Sequence, residues 1–513
     1  MKILSAEQIR KVDAQTLVYN NITSHELMNM ASEAIYQWFL KTHIKSNQTI
    51  SIFCGVGNNG GDGVCLAGKL HTAGVKAHVY VVEYSTRYSS DFEYYLNKVK
   101  QLGVSVSVIT SIEQFPALES TSVIIDAIFG TGLNREITGL AGQVINKINQ
   151  SNKHTVSIDV PSGLMMDKET KFAVMANETT TLQIPKLALF LPDNHKFAGD
   201  IYILNFGLSK KAIDESSTNI YFITKQDIKN IIKPLDKFSH KGIQGHSLII
   251  GGSLGKIGSV ALASKAALKT GCGLATAYIP KCGTMVLQSS ICELMVIEDS
   301  GEKEITDIIF DIKPNAIGIG VGIGTSDNTT NALTRFLETN NTPLVIDADA
   351  INIISHNKEL LNHLPKHTIL TPHPKELSRL IGAWDNDFEK IDKTIALAKE
   401  HNIIVIIKGA HTTIISPNEV YVNSSGSPAL ATAGSGDVLT GIITSLLAQG
   451  YPALQAAQIG VYLHGLTANI TSQNIHPFSF VASDIINNIG SAYFTINSDE
   501  EICDLKKDNY YND

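Results

Sequence analysis

The sequence predicts an α/β protein of two doubly wound domains. Three observations carry that reading. At 513 residues the chain exceeds what one ordinary hydrophobic core serves, so two or three domains are expected. Short β-branched runs alternate with helix-like stretches in both halves, the pattern of a parallel sheet covered on both faces. Several runs end in a glycine turn beside an acidic or hydroxyl side chain. In doubly wound sheets, ligands lie beyond the carboxyl ends of the strands.

The elements follow in order. Residues 5–19 place Ala6, Ile9, Val12 and Leu17 at helical spacing. Strands are expected at TISIFC (49–54), AHVYVV (77–82), VSVSVI (104–109), SVIIDAIF (122–129) and TVSIDV (155–160), separated by helical stretches such as VCLAGKLHTAG with its terminal glycine. A polar stretch, SKKAIDESSTN (209–219), interrupts the alternation and predicts a boundary. It divides a first domain, 1–215, from a second, 222–500. The charged and aromatic end, 501–513, reads as a frayed polar tail. In the second half, strands are expected at HSLIIGG (246–252), LATAYIP (274–280), NAIGIGVG (315–322), TPLVIDAD (342–349), HTIL (367–370) and NIIVIIKG (402–409). HTTIIS and EVYV predict a late hairpin and so a mixed sheet. SVALASKAALKTG, with a serine start and a glycine stop, predicts a helix.

Composition narrows the function. With 43% hydrophobic and 18% charged residues this is globular composition. A net charge of −8 gives no footprint for nucleic acid or an anionic membrane. No signal-peptide pattern opens the chain, and no apolar run reaches the eighteen or so residues of a membrane span. The six cysteines form no C-x-x-C pair and read as reduced thiols. A cytoplasmic location is expected. Compact domains of this kind often self-associate symmetrically, so a homo-oligomer is expected too.

GVGNNGGDG (55–63) matches G-x-G-x-x-G after a strand, yet Asp62 puts a carboxylate where a phosphate would lie. Asn58, Asn59 and Asp62 offer oxygens suited to a hard cation or a polar ligand. The plainer alternative is a glycine turn with Asp62 as a helix cap. DAIFGTGLNRE (126–136) and IDVPSG (158–163) place Asp126, Asp159 and Ser162 at two further strand ends, so three ends describe one pocket. In the second half, ATAGSGDVLTGII (431–443) opens a helix with Gly434, Ser435 and Gly436, whose free N–H groups make an anion hole. Asp437 follows, placed to take a proton from a hydroxyl as a phosphoryl group arrives. Lys408, Gly409 and Thr412 suit nucleotide contacts. His373, in TPHPKEL, is held between two prolines. The glycines of IGIGVGIG let a ligand approach the backbone. Asp347 and Asp349 of DADAIN end another strand, and a helix cap is the expected role of at least one. A P-loop is excluded, because Ile257 and Ile250 stand where Ser or Thr and the first Gly are required.

GNNGGDG, DAIFGTGLNRE and DVPSG together resemble the epimerase domain of the NAD(P)H-hydrate repair system, a Rossmann-like fold. The resemblance implies that Asn59, Asp126 and Ser162 are potassium ligands. It implies that Asn58, Asn59, Gly60, Gly61, Asp62, then Gly130, Thr131, Gly132, Leu133, Asn134, Arg135 and Glu136, and Asp159, contact the hydrated dinucleotide. Asp159 is either the acid–base group or a hydrogen-bonding partner of the nicotinamide or ribose. The family's upstream acidic stretch is replaced here by Asn29 and Ser32.

HKGIQGHSLIIGGS, GVGIG, DADAIN, TPHPKEL, KGAHT and SPALATAGSGDVLTG similarly resemble the ribokinase-like ADP/ATP-dependent NAD(P)H-hydrate dehydratase. The implied nucleotide contacts are Lys408, Gly409, Ala410, His411, Thr412 and Gly436. Ser259, Gly322, His373 and Asp437 would contact the hydrated substrate, with Asp437 as base and Mg²⁺ on the nucleotide phosphates. Val321, Lys375 and Ala433 depart from the family pattern. The expected substrates are NADHX and NADPHX. Two rivals are a kinase of a small vitamin or sugar, and a non-catalytic, nucleotide-sensing or RNA-associated first domain.

Overall fold

The computed structural model describes residues 1–43 and 48–498. The expected tail, 501–513, and the last residues of the expected second domain lie outside them. The chain divides into two compact units, the first essentially Met1–Ile220 and the second beginning at Tyr221.

The first unit holds seven strands: β1 Thr49–Cys54, β2 Lys76–Val82, β3 Ser105–Ile109, β4 Val123–Ala127, β5 His154–Ile158, β6 Glu178–Leu182 and β7 Asp200–Leu204. Their order across the sheet is β3-β2-β1-β4-β5-β6-β7, and every pairing is parallel. Alternate residues feed two cores. Ile52, Val79, Ile125 and Val156 pack to one face, and Phe53, Ile124, Val144 and Ile145 to the other. Each such fully buried side chain is worth about 1.5–3 kcal/mol. The strand order reverses between β1 and β4, which opens a crevice beyond their carboxyl ends.

β6 and β7 escape the sequence pattern. β6 reads ETTTL, and Thr179, Thr180 and Thr181 are fully buried. The Thr179 hydroxyl donates to Ala198 O at 2.6 Å and the Thr180 hydroxyl to Ser157 O at 3.3 Å. Threonine fits a buried strand when its hydroxyl finds a carbonyl, as in these two, whereas the Thr181 hydroxyl is buried without a partner. The polar stretch 209–219 also contains a helix, Lys210–Glu215, capped by the Ser209 side chain.

The second unit carries a ten-stranded mixed sheet: β8 Ile220–Ile223, β9 His246–Ile250, β10 Leu274–Ile279, β11 Met295–Glu298, β12 Ala316–Ile319, β13 Leu344–Ile346, β14 Ile369–Leu370, β15 Ile404–Ile407, β16 Thr413–Ile415 and β17 Val420–Asn423. The order is β11-β10-β9-β12-β13-β14-β15-β16-β17-β8. β9 to β15 pair in parallel, and the expected hairpin, β16 and β17, adds the antiparallel pairings beyond β15. β8 and β11 were not evident from the sequence pattern. The core gathers Val260, Ala263, Val438, Ile442, Ile459 and Leu463 from packed helices. The helix predicted to start at Ser259 begins at Ile257, without a side-chain cap, and stops at Gly271 as expected. Among the described residues no helix is long and apolar enough to cross a membrane, and the five cysteines described are free.

Candidate active sites

In the first unit, β1 runs into a loop that becomes the helix Asn58–Thr72, with Gly57 at its cap position. Asp62 is therefore inside the helix, not its cap. Gly60 is required for contact: a side chain there would lie 1.8 Å from Gly55 O. The Asn59 side chain is brought against Gly130, where a Cβ would sit 3.2 Å from Asn59 Cβ and 3.5 Å from Asp159 Oδ2. Both polar atoms of the Asn59 amide are buried without a hydrogen-bond partner.

Asp126, at the end of β4, is fully buried. Its carboxylate accepts from Ser157 Oγ at 2.8 Å, Ser162 N at 2.8 Å and Ser162 Oγ at 2.5 Å. Burial raises its pKa against those bonds. Asp159 follows β5 in the left-handed region, φ 67°, a strained conformation for a residue with a Cβ. The Lys186 ammonium lies 2.6 Å from Asp159 Oδ1, with side chains 1% and 13% exposed respectively. Lys186 also donates to Leu182 O at 3.1 Å.

Two more acids share this crevice. Burial, then the Asp159 charge, raises Asp13 to about 6, with Lys186 pulling the other way. Asp62 is pushed well above the usual carboxylate range by burial and then by Asp159, Asp13 and Asp91. Burial and these like charges thus disfavour the anionic form of the carboxyl that looks unsuited to a phosphate. Of the segment 131–136, Gly132, Asn134, Arg135 and Glu136 are exposed, and Glu136 pairs at 3.6 Å with Lys171 at the surface. Asn58 is exposed too. Asn29 and Ser32 lie beside the loop's helix, where Ser32 Oγ donates to Asp62 O at 3.1 Å.

In the second unit, the helix Ser435–Ala448 starts from Gly434, whose φ of 85° is left-handed and suits glycine. Asp437 stands in its first turn. Burial raises its pKa to about 6, while a hydrogen bond from Ser259 lowers it. Lys408, just past β15, reaches the same point: a side chain on Gly436 would lie 3.4 Å from Lys408 Nζ and 3.5 Å from Asp347 Oδ2. Lys408 Nζ pairs with Asp347 Oδ1 at 2.8 Å, their side chains 23% and 2% exposed. Thr440 Oγ1 donates to Asp347 Oδ2 at 2.8 Å. Burial is the largest influence and opposes ionisation of Asp347, but the Lys408 charge together with hydrogen bonds from Lys408, Thr371 and Thr440 overcomes it, so its pKa is lowered.

The expected cap role fails for both acids of DADAIN. Asp347 occupies the cap position of the helix Ala348–His356 without capping it through its side chain, because Lys408 and Thr440 engage that carboxylate. Asp349 accepts from Gly324 N at 2.9 Å and pairs with Lys256 at 3.3 Å. His373 does cap: its Nδ1 accepts from Lys375 N at 3.1 Å and Glu376 N at 3.4 Å. Burial, then Lys408, lowers its pKa. Gly322 lies over Ser259, where a Cβ would approach Ser259 Cβ to 3.2 Å. Gly409 and Ala410 are exposed, with His411 and Thr412 half-buried, in the turn after β15. There Thr412 Oγ1 donates to Gly409 O at 3.1 Å.

Sequence reasoning missed three groups. Lys186 and Asp13 carry no motif. Neither does His464, whose Nε2 lies 3.0 Å from Ser435 O and 3.2 Å from Ser435 Oγ and buttresses the start of the helix. Burial lowers its pKa to about 4.

Comparison with known proteins gives the same two halves. Residues 24–188 match the family described as YjeF-related protein N-terminus, and residues 247–490 match NAD(P)H-hydrate dehydratase. A bifunctional NAD(P)H-hydrate repair enzyme Nnr of Moorella thermoacetica is 30% identical, covering 98% of each chain. Its counterpart in Dictyoglomus turgidum is 31% identical over 95% of this chain and 97% of that one. A solved ADP/ATP-dependent NAD(P)H-hydrate dehydratase of Bacillus subtilis, co-crystallised with ATP and Mg²⁺, is 25% identical. It covers 55% of this chain and 100% of that one, with a TM-score of 0.48.

Proposed function

This chain belongs to the bifunctional NAD(P)H-hydrate repair enzyme family, and on that premise we propose how its two sites divide the work. The first unit interconverts the R and S epimers of hydrated NADH or NADPH. The second dehydrates the S epimer with ADP or ATP and returns the working cofactor. The observation that carries the second assignment is Asp437, raised to about 6, in the first turn of a helix whose free N–H groups and neighbouring Lys408 favour an anion. Phosphoryl transfer to the C6 hydroxyl needs a base at the acceptor and positive charge around the transferred group. Asp437 takes the hydroxyl proton. Lys408 and the amides near Gly436 hold the phosphoryl oxygens, with Mg²⁺ carried on the nucleotide. Loss of phosphate from C6, with its C–O bonding pair, and of a proton from the neighbouring C5 then forms the ring double bond and restores the dihydronicotinamide. The exposed turn Lys408–Thr412 takes the adenine nucleotide, and Ser259, Gly322 and His373 face the hydrated ring.

In the first unit, Asp159 moves the proton for epimerisation, with Lys186 fixing its carboxylate. The unpaired Asn59 amide, against Gly130, and the buried, hydrogen-bonded Asp126 and Ser162 offer oxygens that fit K⁺, and these three residues would hold it. Bound there, the ion would supply fixed positive charge near the dinucleotide. Gly60, Gly61, Asp62 and Gly130–Glu136 line the dinucleotide's path. A homo-oligomeric, cytoplasmic enzyme is the state we expect.

The test is recovery of dihydronicotinamide absorbance from chemically hydrated NADH mixed with the protein and ADP or ATP in turn. Both epimers should be recovered, and only with nucleotide. Accumulation of a stable phosphorylated product instead would make the second unit an ordinary small-molecule kinase.

A further inference from the structure

We propose that His43, His154 and Glu178 form a binding site for a transition-metal dication of the zinc class, at the end of the first unit's sheet away from the crevice. His154 and Glu178 are the first residues of β5 and β6. Val156 is the partner of Glu178 in the parallel pairing, and His154, two residues before Val156, shares its face of the sheet. The two side chains are therefore diagonal neighbours. His43 reaches them from the C-terminal end of the helix Ser24–Thr42, where its backbone N–H is bonded to Phe39 O. The length of β5, about 16 Å, separates this cluster from Asp159.

One ligand-type atom from each residue lies within 4.8 Å of the other two. His43 Nε2 is 2.6 Å from Glu178 Oε2, and His154 Nε2 is 3.7 Å from the same oxygen. Around a tetrahedral ion with bonds of about 2.0–2.1 Å, ligand atoms stand about 3.3 Å apart. One spacing to Glu178 is short by less than an ångström and the other long by less, and the two imidazole nitrogens stand within 4.8 Å of each other, so side-chain rotations would close the site. An ion pair of hydrogen-bond length explains the first contact, while the second is within ion-pair reach but too long for a hydrogen bond. That leaves His154 Nε2 buried with no hydrogen bond, and that uncommitted lone pair is what a metal would take. Two imidazoles and a carboxylate select a borderline cation such as Zn²⁺, Co²⁺ or Ni²⁺ over Mg²⁺ or Ca²⁺. The remaining positions open to solvent along the His154 side chain, which is 39% exposed. The Trp38 and Phe39 rings lie 5.1 and 5.0 Å from His43 and wall the cluster on its apolar side. A metal here pins the helix end to two strands and touches neither crevice acid.

The experiment titrates the tag-free, chelator-stripped full-length chain with Co²⁺ alone. It reads ligand-field absorption, and quenching of Trp38 fluorescence in a Trp384→Phe background. We expect one Co²⁺ per chain, displaced by Zn²⁺. His43→Gln, His154→Gln and Glu178→Gln should each weaken binding at least about tenfold, since loss of even an outer-shell partner costs that much. His154→Gln changes the most exposed of the three, and its unchanged far-ultraviolet dichroism would show that the fold persists. Equal Co²⁺ binding by the wild type and the His43→Gln/His154→Gln double variant would overturn the proposal. So would failure of the wild type alone to form a one-to-one complex by about 100 µM Co²⁺, a free-energy bound near −5.5 kcal/mol.

Discussion

Both units place a lysine–aspartate pair at the carboxyl ends of parallel strands, and the two pairs are mirror images in exposure. In the first unit the lysine is sealed, Lys186 at 1% against 13% for Asp159. In the second the acid is sealed, Asp347 at 2% against 23% for Lys408. The buried member of each pair fixes the position of the other, and the more exposed member is the one a ligand can meet. The first unit therefore offers a carboxylate, suited to moving a proton. The second offers an ammonium beside a helix N-terminus, suited to holding a phosphate. On the proposed function, two similar ion pairs would serve opposite chemistries, and which member is buried is what separates them.

The sharpest way to break this comparison is to silence each unit's acid. Asp437→Asn should lower nucleotide-dependent recovery of both epimers by about 10²–10⁴-fold, the usual yield of a general base. Asp159→Ala should slow recovery of the R epimer only, in the same absorbance assay. Equal loss for the S epimer would mean that the units do not divide the work.

Next in size is the second pair itself. Lys408→Met leaves Asp347 charged, buried and unpaired. That should cost about 3–5 kcal/mol, a fall in Tm of roughly 6–20 °C for the second unit, read by scanning calorimetry. Lys408→Met/Asp347→Leu should recover most of the stability and none of the dehydration. If the double variant also recovered activity, Lys408 would be structural and the comparison would fail.

A smaller effect is the pH profile. Asp437 must be ionised to accept a proton, and its pKa is raised to about 6. Dehydration kcat/KM should therefore fall about tenfold per unit below pH 6 and level off above it. His464, lowered to about 4, stays neutral throughout that range. A profile flat from pH 5 to 7, about one unit either side of the group, would remove Asp437 as base.

How far the sequence carried can be traced element by element. β1, β2, β9 and β15 are β-branched and apolar, so their pattern is local and was legible. β6 was not, because its threonines read as polar until the sheet supplies Ala198 O and Ser157 O as acceptors. The motif residues Asp126, Asp159 and Asp437 were legible as strand ends or a helix start. Their partners were not. Lys186 lies 27 residues beyond Asp159, Lys408 lies 61 beyond Asp347, and His464 lies 29 beyond Ser435. Such pairs are made by tertiary packing, and no local spacing encodes them. The alternative of Asp62 as a cap, and the expected cap role for Asp347 or Asp349, fail for one cause. An acid near a helix start was read from position, while burial and a distant lysine decide what the carboxyl does.

Asp62 gives the finest test of that point. If burial and the surrounding Asp159, Asp13 and Asp91 hold it neutral, its carboxylic acid presents one donor and one acceptor. An asparagine presents the same functions in nearly the same shape. Asp62→Asn should then leave R-epimer recovery within about tenfold of wild type, less than one pKa unit's worth of interaction. It should also weaken the dependence of dinucleotide KM on pH, because the group whose ionisation would repel the phosphates is gone. A loss as large as that of Asp159→Ala would mean that Asp62 works as an anion. A charge in that position would then need a cation beside it, and Asn59, next to Gly130, would be where to look for its ligand.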